Sequence, residues 1–250
     1  AADQRGLKFF VLDRINPIGG ERVEGPVHPG ESSFTAFHSI PVRHGMTVGE
    51  LARMFKDERA LKLDLQVIPI EGWSRRQWLD ETGLPWGNTS PNMRSLTAAA
   101  FYPGIGLLET TALSVGRGTD RPFEIFGAPY IDDVVLAAEL NAAELKGLRF
   151  VPVQFTPSAS IYKDELCKGV NVMLLDREKC EIVKAAVLVA QTLHRLYPKD
   201  FVLQKFNALL QHAATLDAIS QGKKPAEIEA LWREDLEKFK KRREKILLYR

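Results

Sequence analysis

The spacing of hydrophobic and polar residues along the chain predicts an α/β protein. Residues 7–12 form a nearly continuous apolar run, which is typical of a strand buried on both faces of a parallel sheet. Because only six residues precede this run, we expect it to be the last strand of a sheet whose earlier strands lie upstream of residue 1. Apolar and polar side chains alternate over residues 61–70, which predicts a strand with one buried face. Further short strands are predicted at residues 107–109, 112–115, 149–155 and 170–175.

Apolar residues spaced three to four apart predict the helices, and capping residues mark where several of them begin. Thr47 and Glu50 form a capping box that opens a helix ending near Glu58. Ser95 and Asp132 are expected to cap two further helices, and the C-terminal part of the chain has a helical period throughout. The helical segments are predicted at residues 47–58, 74–81, 95–100, 132–145, 178–197, 200–220 and 225–247.

Composition and charge argue against several classes of function. The sequence has 34 Lys and Arg against 32 Asp and Glu, and this formal net charge of +2 does not predict nucleic-acid binding. The basic residues at 238–245 lie on one predicted helix, where a solvated face is the simplest interpretation and a polyanion-binding patch the alternative. No apolar run approaches the roughly 18 residues that a membrane span requires. The two cysteines and five scattered histidines form no zinc motif, and neither a metal nor a nucleotide cofactor is predicted.

Polar loops contain the candidate functional residues. Asp13, Arg14 and Asn16 follow the first apolar run, at the edge where open α/β sheets bind ligands. They begin a Gly- and Pro-rich stretch at residues 14–46 that is expected to be a long, ordered loop, and loops of this length tend to be functional. His44 lies at the N-terminus of a predicted helix, where the helix dipole favours a neutral imidazole and bound anions. The alternative for His44 is a structural hydrogen bond to a backbone carbonyl.

Two further loops complete the set. Asn92 lies among amides and hydroxyls that suit sugar hydroxyls, although turn chemistry explains that loop equally well. In the loop at 116–121, two glycines flank Arg117 and build a rigid polar segment for anionic or hydroxyl-rich ligands, and Thr119 and Arg121 follow. Glu109 either orients these arginines as an ion-pair partner or acts as a base or nucleophile. We expect all four loops to line a single pocket.

Taken in order, these motifs make the sequence resemble the bacterial exo-β-N-acetylmuramidases, a glycosidase family long described as a domain of unknown function. The resemblance runs from residue 7 to residue 249 and rests on several separate motifs in the same order. The motifs are Val11-Leu12-Asp13-Arg14-x-Asn16-Pro17-x-Gly19-Gly20, Pro41-Val42-Arg43-His44-Gly45-Met46-Thr47-x-Gly49-Glu50, Glu81-Thr82-Gly83-Leu84-Pro85-Trp86, Ser90-Pro91-Asn92-Met93, Tyr102-Pro103-Gly104 and Gly116-Arg117-Gly118-Thr119.

The resemblance implies an enzyme that removes N-acetylmuramic acid from the non-reducing end of peptidoglycan fragments. It implies that residues 1–46 are the end of a Rossmann-like lobe with its cleft loop. Residues 47–177 would then form an α+β lobe with a mixed sheet, and residues 178–250 would be helices packed on the body. A saccharide containing muramic acid is the expected ligand, and a periplasmic or secreted location is expected, with a cytoplasmic location as the alternative.

The resemblance, together with the chemistry of the loops, assigns roles to individual residues. The expected catalytic residues are His44 and Glu109. Arg117 or Arg121 would bind the lactyl carboxylate of muramic acid through a bidentate fork. The expected substrate-binding residues are Asp13, Arg14, Asn16, Asn92, Arg117, Thr119 and Arg121.

The sequence also departs from the family pattern. Members of the family have a further ~150 residues upstream, about one domain, in which a Pro-Glu-His-Gly segment contains the glutamate thought to act in catalysis. That segment does not occur in these 250 residues, and Ala112 stands where an asparagine is expected. We therefore expect a C-terminal portion without glycosidase turnover of its own. The alternatives are a non-catalytic module that binds cell-wall muropeptides, and an amidase or esterase that uses His44 with Glu109.

Overall fold

The computed structural model of the protein describes residues 1–28 and 35–250. The α/β fold class predicted from the sequence is confirmed. Strands β1 to β7 span Lys8–Leu12, Glu24–Val27, Pro41–Arg43, Asp64–Ile68, Ile125–Ala128, Leu148–Phe155 and Cys167–Leu174. Helices α1 to α8 span Val48–Glu58, Leu96–Ile105, Asp133–Ala142, Ile182–Leu196, Asn207–Leu210, Ala213–Ser220, Pro225–Ala230 and Arg233–Glu244. Short 3-10 helices occupy Asp3–Arg5, Leu79–Glu81, Gly106–Thr110 and Leu203–Phe206.

The first sheet consists of two parallel strands, β1 and β4, which are connected through α1. Lys8 lies opposite Asp64 and Leu12 opposite Ile68, so both predicted strands form and belong to one β-α-β unit. The strand β1 was expected to be the last strand of its sheet. It is not, because β4 lies later in the chain and pairs with it. In the described part of the chain β4 is the strand paired with β1, and the apolar side chains of β1 are not buried as predicted. The side chain of Leu12, for example, is 72% exposed.

The second sheet pairs β2 with β3 in antiparallel fashion, within the segment that was predicted to be a loop. Glu24 lies opposite Arg43, and their side chains form an ion pair of 2.6 Å between Oε1 and Nη1. The strands are only four and three residues long, and each contains a proline. Such short strands have no readable period, which explains why the sequence did not predict them.

The third sheet has the strand order β5-β7-β6 and is antiparallel throughout, whereas a mixed sheet was predicted. The predicted strands at 149–155 and 170–175 correspond to β6 and β7. The predicted strand at 107–109 was wrong, since these residues lie in a 3-10 helix. Of residues 112–115, Ser114 forms an isolated antiparallel bridge to Gly127.

The main hydrophobic core surrounds α4, whose residues are mostly buried. Helix α2 packs against it closely at Gly104, where a Cβ atom would overlap the carbonyl of Ile182. Helix α2 also extends five residues beyond its predicted end and contains Pro103. Its position relative to α4 is therefore set by a glycine that allows two backbones to approach each other.

The C-terminal helices are shorter than predicted. The segment predicted at 200–220 is interrupted at Gln211, which has a φ of +49° and ends α5 before His212 caps α6. The segment predicted at 225–247 divides into α7 and α8. Phe239 of α8 packs with Met46 and Met54 in a second, smaller core, so the C-terminal helix returns to the N-terminal half of the chain.

Across residues 1–28 and 35–250, none of the helices has the length and apolar character needed to cross a bilayer. The predicted division of the chain at residues 46 and 177 stays a prediction.

Candidate functional site

A cavity of about 580 Å³ lies between the β2–β3 hairpin, α2 and the loop that contains Trp86. Asn16 and His44 line it, as do Thr89 and Met93 from the third predicted loop. Residues 209–211, at the end of α5, also contribute to the wall. Three of the four predicted polar loops therefore border one cavity.

His44 presents a neutral ring to this cavity. Its Nδ1 accepts a hydrogen bond of 3.1 Å from the backbone amide of Met46, so the proton of the neutral imidazole is on Nε2. Burial, with a further contribution from the Arg243 guanidinium, lowers the pKa of His44 to about 4. Nε2 has no partner among the residues that the structure describes, and it is available as a donor to a ligand. The bond that His44 forms is thus to a backbone amide, and not to the carbonyl of the structural alternative.

Buried charged side chains hold the backbone next to His44 in place. Glu50 is fully buried, and its Oε1 accepts hydrogen bonds from Arg75 at 2.5 Å and from the Leu248 amide at 2.9 Å. Arg75 in turn donates to the carbonyl of Gly45 at 2.5 Å, and Arg243 donates to the same carbonyl at 3.2 Å. A buried carboxylate that is paired and hydrogen-bonded in this way holds its neighbours in place.

Asn16 shapes the cavity wall through its side-chain amide. Its Nδ2 donates to the carbonyl of Met46 at 3.2 Å, and its Oδ1 accepts from the Ile18 amide at 3.3 Å. The first bond ties the loop after β1 to the segment just before α1, and the second closes a turn within the loop. Asn16 therefore positions the segment that contains His44, in addition to lining the cavity.

Asp13 and Arg14 lie outside the lining of the cavity. The Asp13 carboxylate accepts hydrogen bonds from the Thr47 hydroxyl at 2.7 Å, the Gly49 amide at 2.8 Å and the Tyr249 hydroxyl at 2.5 Å. It thereby joins the end of β1 to the first turn of α1 and to the C-terminal tail. Arg14 is exposed next to it.

The arginine loop lines a second cavity of about 360 Å³, which also includes Glu109 and Ser160. The Arg117 Nε donates to Glu109 Oε1, and this hydrogen bond raises the pKa of the Arg117 guanidinium. Glu109 was expected to be either an ion-pair partner or a base or nucleophile. The contact observed is an ion pair with Arg117. The expectation that all four loops share one pocket was wrong, because Arg117 and His44 line different cavities.

Thr119 and Arg121 form bonds that build and anchor the arginine loop. The Thr119 hydroxyl donates to the carbonyl of Gly116 at 2.7 Å. Arg121 donates to the Asn171 side chain of β7 at 2.8 Å. Asn92 is half-buried beside Met93 and is not among the residues that line either cavity.

Two aromatic side chains separate the cavities. Tyr102 lines the larger cavity, and its ring meets Phe123 edge-on at a centroid distance of 4.8 Å. The Arg117 guanidinium carbon lies 5.4 Å from the centroid of Phe123. His44 and the Glu109–Arg117 pair are thus in cavities divided by a pair of rings.

Few carboxylates line the two cavities within the described part of the chain. Among the described residues that line the larger cavity, none is Asp or Glu, and Glu109 is the carboxylate at the smaller one. Glycoside hydrolysis usually requires two carboxyl groups that flank the scissile bond. The described side chains also include no cluster of three or more His, Cys, Asp and Glu that could hold a metal ion.

Trp86 and Tyr102 lie within the motifs shared with the family, but neither was predicted from the sequence to be a site residue. Both line the larger cavity, and the indole nitrogen of Trp86 is screened from solvent with no acceptor in the described part of the chain. Trp86 is an aromatic residue in a loop and Tyr102 an exposed aromatic residue near the end of α2, and this aromatic character was the signal that could have identified them.

Comparisons with known proteins show which family the chain belongs to. The sequence profile "Exo-beta-N-acetylmuramidase NamZ, N-terminal" matches residues 1–97, and the profile "Exo-beta-N-acetylmuramidase NamZ, C-terminal" matches residues 100–249. The peptidoglycan beta-N-acetylmuramidase NamZ of Bacillus subtilis (strain 168) is 40% identical over 253 residues. That alignment covers the whole of this chain, and the chain spans 61% of the length of this relative.

Crystal structures of two DUF1343 family proteins from Bacteroides fragilis NCTC 9343 have a similar fold. One is 32% identical with a TM-score of 0.88, and the other is 30% identical with a TM-score of 0.75. Both comparisons cover the whole of this chain, together with 68% and 69% of the respective Bacteroides chains.

Proposed function

Because the chain belongs to the exo-β-N-acetylmuramidase NamZ family, we propose that it forms the saccharide-contacting part of a peptidoglycan β-N-acetylmuramidase. The reaction would be hydrolysis of the bond that links N-acetylmuramic acid to the non-reducing end of a peptidoglycan fragment. The 40% identity to the Bacillus subtilis relative, which is named a peptidoglycan beta-N-acetylmuramidase, supports the proposal.

The larger cavity would receive the terminal sugar. Its volume of about 580 Å³ lies within the range of small-molecule sites, which are mostly apolar with a few polar groups. Trp86 and Tyr102 would supply aromatic surface, while His44 Nε2 would donate a hydrogen bond to an oxygen of the sugar. Since the pKa of His44 is about 4, the ring would act near neutral pH as an uncharged donor.

Arg117 would bind the lactyl carboxylate of muramic acid. Its Nε is occupied by Glu109, while its two Nη atoms have no partner among the described residues and can donate to an anion. Glu109, which neutralises this arginine, would then position it. Arg121, bound to Asn171, would stabilise the loop.

The observation that carries the proposal is that none of the described residues lining a cavity otherwise suited to a sugar is Asp or Glu. We infer that the catalytic glutamate comes from the part of the longer relative that these 250 residues do not span. The same observation favours the second candidate, a module that binds muropeptides without chemistry. The two candidates differ in whether a glutamate-bearing segment completes the site.

The test combines a binding assay with a turnover assay. The 250-residue chain should bind N-acetylmuramic acid and should not release nitrophenol from 4-nitrophenyl β-N-acetylmuramide. The protein translated from the complete reading frame should release it, and should leave the corresponding N-acetylglucosaminide intact. Arg117→Ala should weaken binding of N-acetylmuramic acid more than binding of N-acetylglucosamine, which lacks the carboxylate.

The other possible results of these assays decide between the two candidate functions. Turnover by the 250 residues alone would contradict the inferred origin of the glutamate. Binding without turnover in the complete protein would favour the non-catalytic module. No binding of either sugar would contradict both candidates. A periplasmic or secreted location remains a proposal, which cell fractionation tests.

A further inference from the structure

We propose that the ring of Tyr102 is the surface on which the sugar ring rests in the larger cavity, and that Gly106 is the positioning residue that fixes this ring. The inference rests on the proposed function, since it names the group that contacts the pyranose. It follows from the construction of α2, from the way the Tyr102 ring is held, and from the chemistry of sugar surfaces.

Helix α2 and the turn after it present one face to the cavity. This face consists of Ala99, Tyr102, Pro103 and Gly106, which follow the helical spacing of three, four and seven. Phe101 points into the core and is fully buried, so the helix is fixed from its other side. Tyr102 is the one aromatic residue on the cavity face, and small residues lie one turn before and one turn after it.

The ring of Tyr102 is exposed and yet held in one orientation. Its residue is 45% exposed, while the ring meets Phe123 at a centroid distance of 4.8 Å and an interplanar angle of 76°. Phe123 is itself buried and is bound through its amide to the carbonyl of Val115 at 2.8 Å. A Cβ atom at Gly106 would lie 3.0 Å from Cε2 of Tyr102, so a side chain there would require the ring to shift by a few tenths of an ångström.

An aromatic surface prepared in this way suits a pyranose. One face of a pyranose presents C–H groups, which pack on the face of an aromatic ring, while its hydroxyls require hydrogen bonds at the edge. The Tyr102 hydroxyl forms no hydrogen bond within residues 1–28 and 35–250, although Tyr102 interacts electrostatically with Arg117, so the hydroxyl can bond a sugar hydroxyl. Because the ring is already held in place, little side-chain entropy is lost on binding.

The experiment uses N-acetylmuramic acid as the probe and the 250-residue chain as the protein. Ligand-observed NMR should detect an upfield ring-current shift of the sugar C–H protons, and calorimetry should give the dissociation constant. Tyr102→Ala and Tyr102→Leu should weaken binding by about tenfold or more and reduce the upfield shift to the part that Trp86 contributes. Tyr102→Phe retains the ring face and should stay within about fivefold of wild type, because it loses one hydrogen bond.

Gly106→Ala tests the positioning role separately. Gly106 has ordinary helical dihedral angles, so alanine should leave the melting temperature unchanged or raise it. The added methyl group should displace the ring, weaken binding severalfold and reduce the ring-current shift. Val134→Ala removes an exposed apolar side chain that does not line the cavity, and this control should bind within twofold of wild type.

The outcomes separate this inference from the proposed function. If the wild-type chain binds and Tyr102→Leu binds equally well with the same ring-current shift, the role of Tyr102 is wrong while the proposed function stands. If Gly106→Ala binds as wild type does, the positioning role is wrong. If the wild-type chain does not bind the sugar, the proposed function itself fails.

Discussion

His44 illustrates how the surroundings of one residue select its chemistry. The sequence placed it at the start of a helix and predicted a neutral ring, and its lowered pKa agrees with that prediction. The cause differs in part, because burial is the largest contribution and the cation of Arg243 comes second. A ring that stays neutral near pH 7 can donate from Nε2, whereas a cationic acid would need a pKa close to the working pH.

The lowered pKa of His44 predicts how stability depends on pH. The unfolded chain takes up this proton at about pH 6.5 and the folded chain only near pH 4, so the unfolded state binds more protons between these values. The contribution of His44 to the free energy of unfolding should therefore be fully present above pH 6.5 and should be lost as the pH falls towards 4. The expected loss is on the order of 2–3 kcal/mol. Urea unfolding at a series of pH values measures it.

His44→Asn should remove most of this pH dependence. The pKa of His212 is also lowered by burial, so His212→Asn serves as the matched control and should leave the larger part of the slope. A slope in His44→Asn equal to that of wild type would contradict the assignment to His44.

At the scale of the element, α1 shows why a motif was interpreted as a ligand site although much of it builds the fold. The Thr47 hydroxyl accepts from the Glu50 amide, and Glu50 Oε2 accepts from the Thr47 amide, so the predicted capping box is present. The same two residues also join Asp13 and Arg75 to the helix start. A capping box can be recognised from sequence, but its distant partners cannot.

Gly49 provides a test of how tightly α1 packs on β1 and β4. A Cβ atom there would lie 2.6 Å from Cγ1 of Val67 and 2.7 Å from Cγ of Asp13. Gly49→Ala should therefore destabilise the protein by about 1–3 kcal/mol in urea unfolding, although helix propensity alone favours alanine by about 1 kcal/mol.

Gly87→Ala is the matched control for this substitution. A Cβ atom at Gly87 meets nothing within 4 Å, and the change should stay within about 0.5 kcal/mol. Stabilisation by Gly49→Ala would show that propensity outweighs the close approach, and would contradict the packing argument.

At the scale of the whole molecule, the C-terminal tail joins distant parts of the chain. The Tyr249 hydroxyl donates to Asp13 at 2.5 Å and accepts from the Ile70 amide at 3.0 Å, so it bridges the ends of β1 and β4. The Arg75 amide donates to the carbonyl of Arg250 at 3.2 Å. The pair β1–β4 is therefore fixed by residues almost the full length of the chain away.

Tyr249→Phe should destabilise the protein by about 1–2 kcal/mol. The substitution leaves the Ile70 amide without its acceptor and removes one of the donors to Asp13. Thermal unfolding measures the effect. Tyr102→Phe is the control, because the Tyr102 hydroxyl forms no hydrogen bond in the described residues, and its melting temperature should equal that of wild type. Equal melting temperatures for both variants would contradict a role for the tail.

The burial of the apolar side chains on β1 also depends on the whole molecule. Phe10 and Leu12 are exposed in the described structure, although their run was predicted to be buried. The prediction relied on the apolar composition of the strand, which indicates that a strand is suited to burial. Whether it is buried depends on the layers that pack against it, and this is not a property of the strand.

The sequence by itself determined the features that depend on neighbouring residues. These include the caps at Thr47, Ser95 and Asp132, the strands with a clear period such as β6, and the ordered motifs that led to the family. Such features depend on interactions within a few residues, so the pattern of residue types contains the information.

Only the tertiary structure decided the pairing of β2 with β3, the buried Glu50–Arg75 network and the division of the candidate residues between two cavities. His44 and Arg117 both carry polar chemistry in glycine-rich loops, and nothing local to either loop records that Tyr102 and Phe123 stand between them. Burial and contact between residues far apart in the chain leave no periodic trace, because they depend on how whole elements pack.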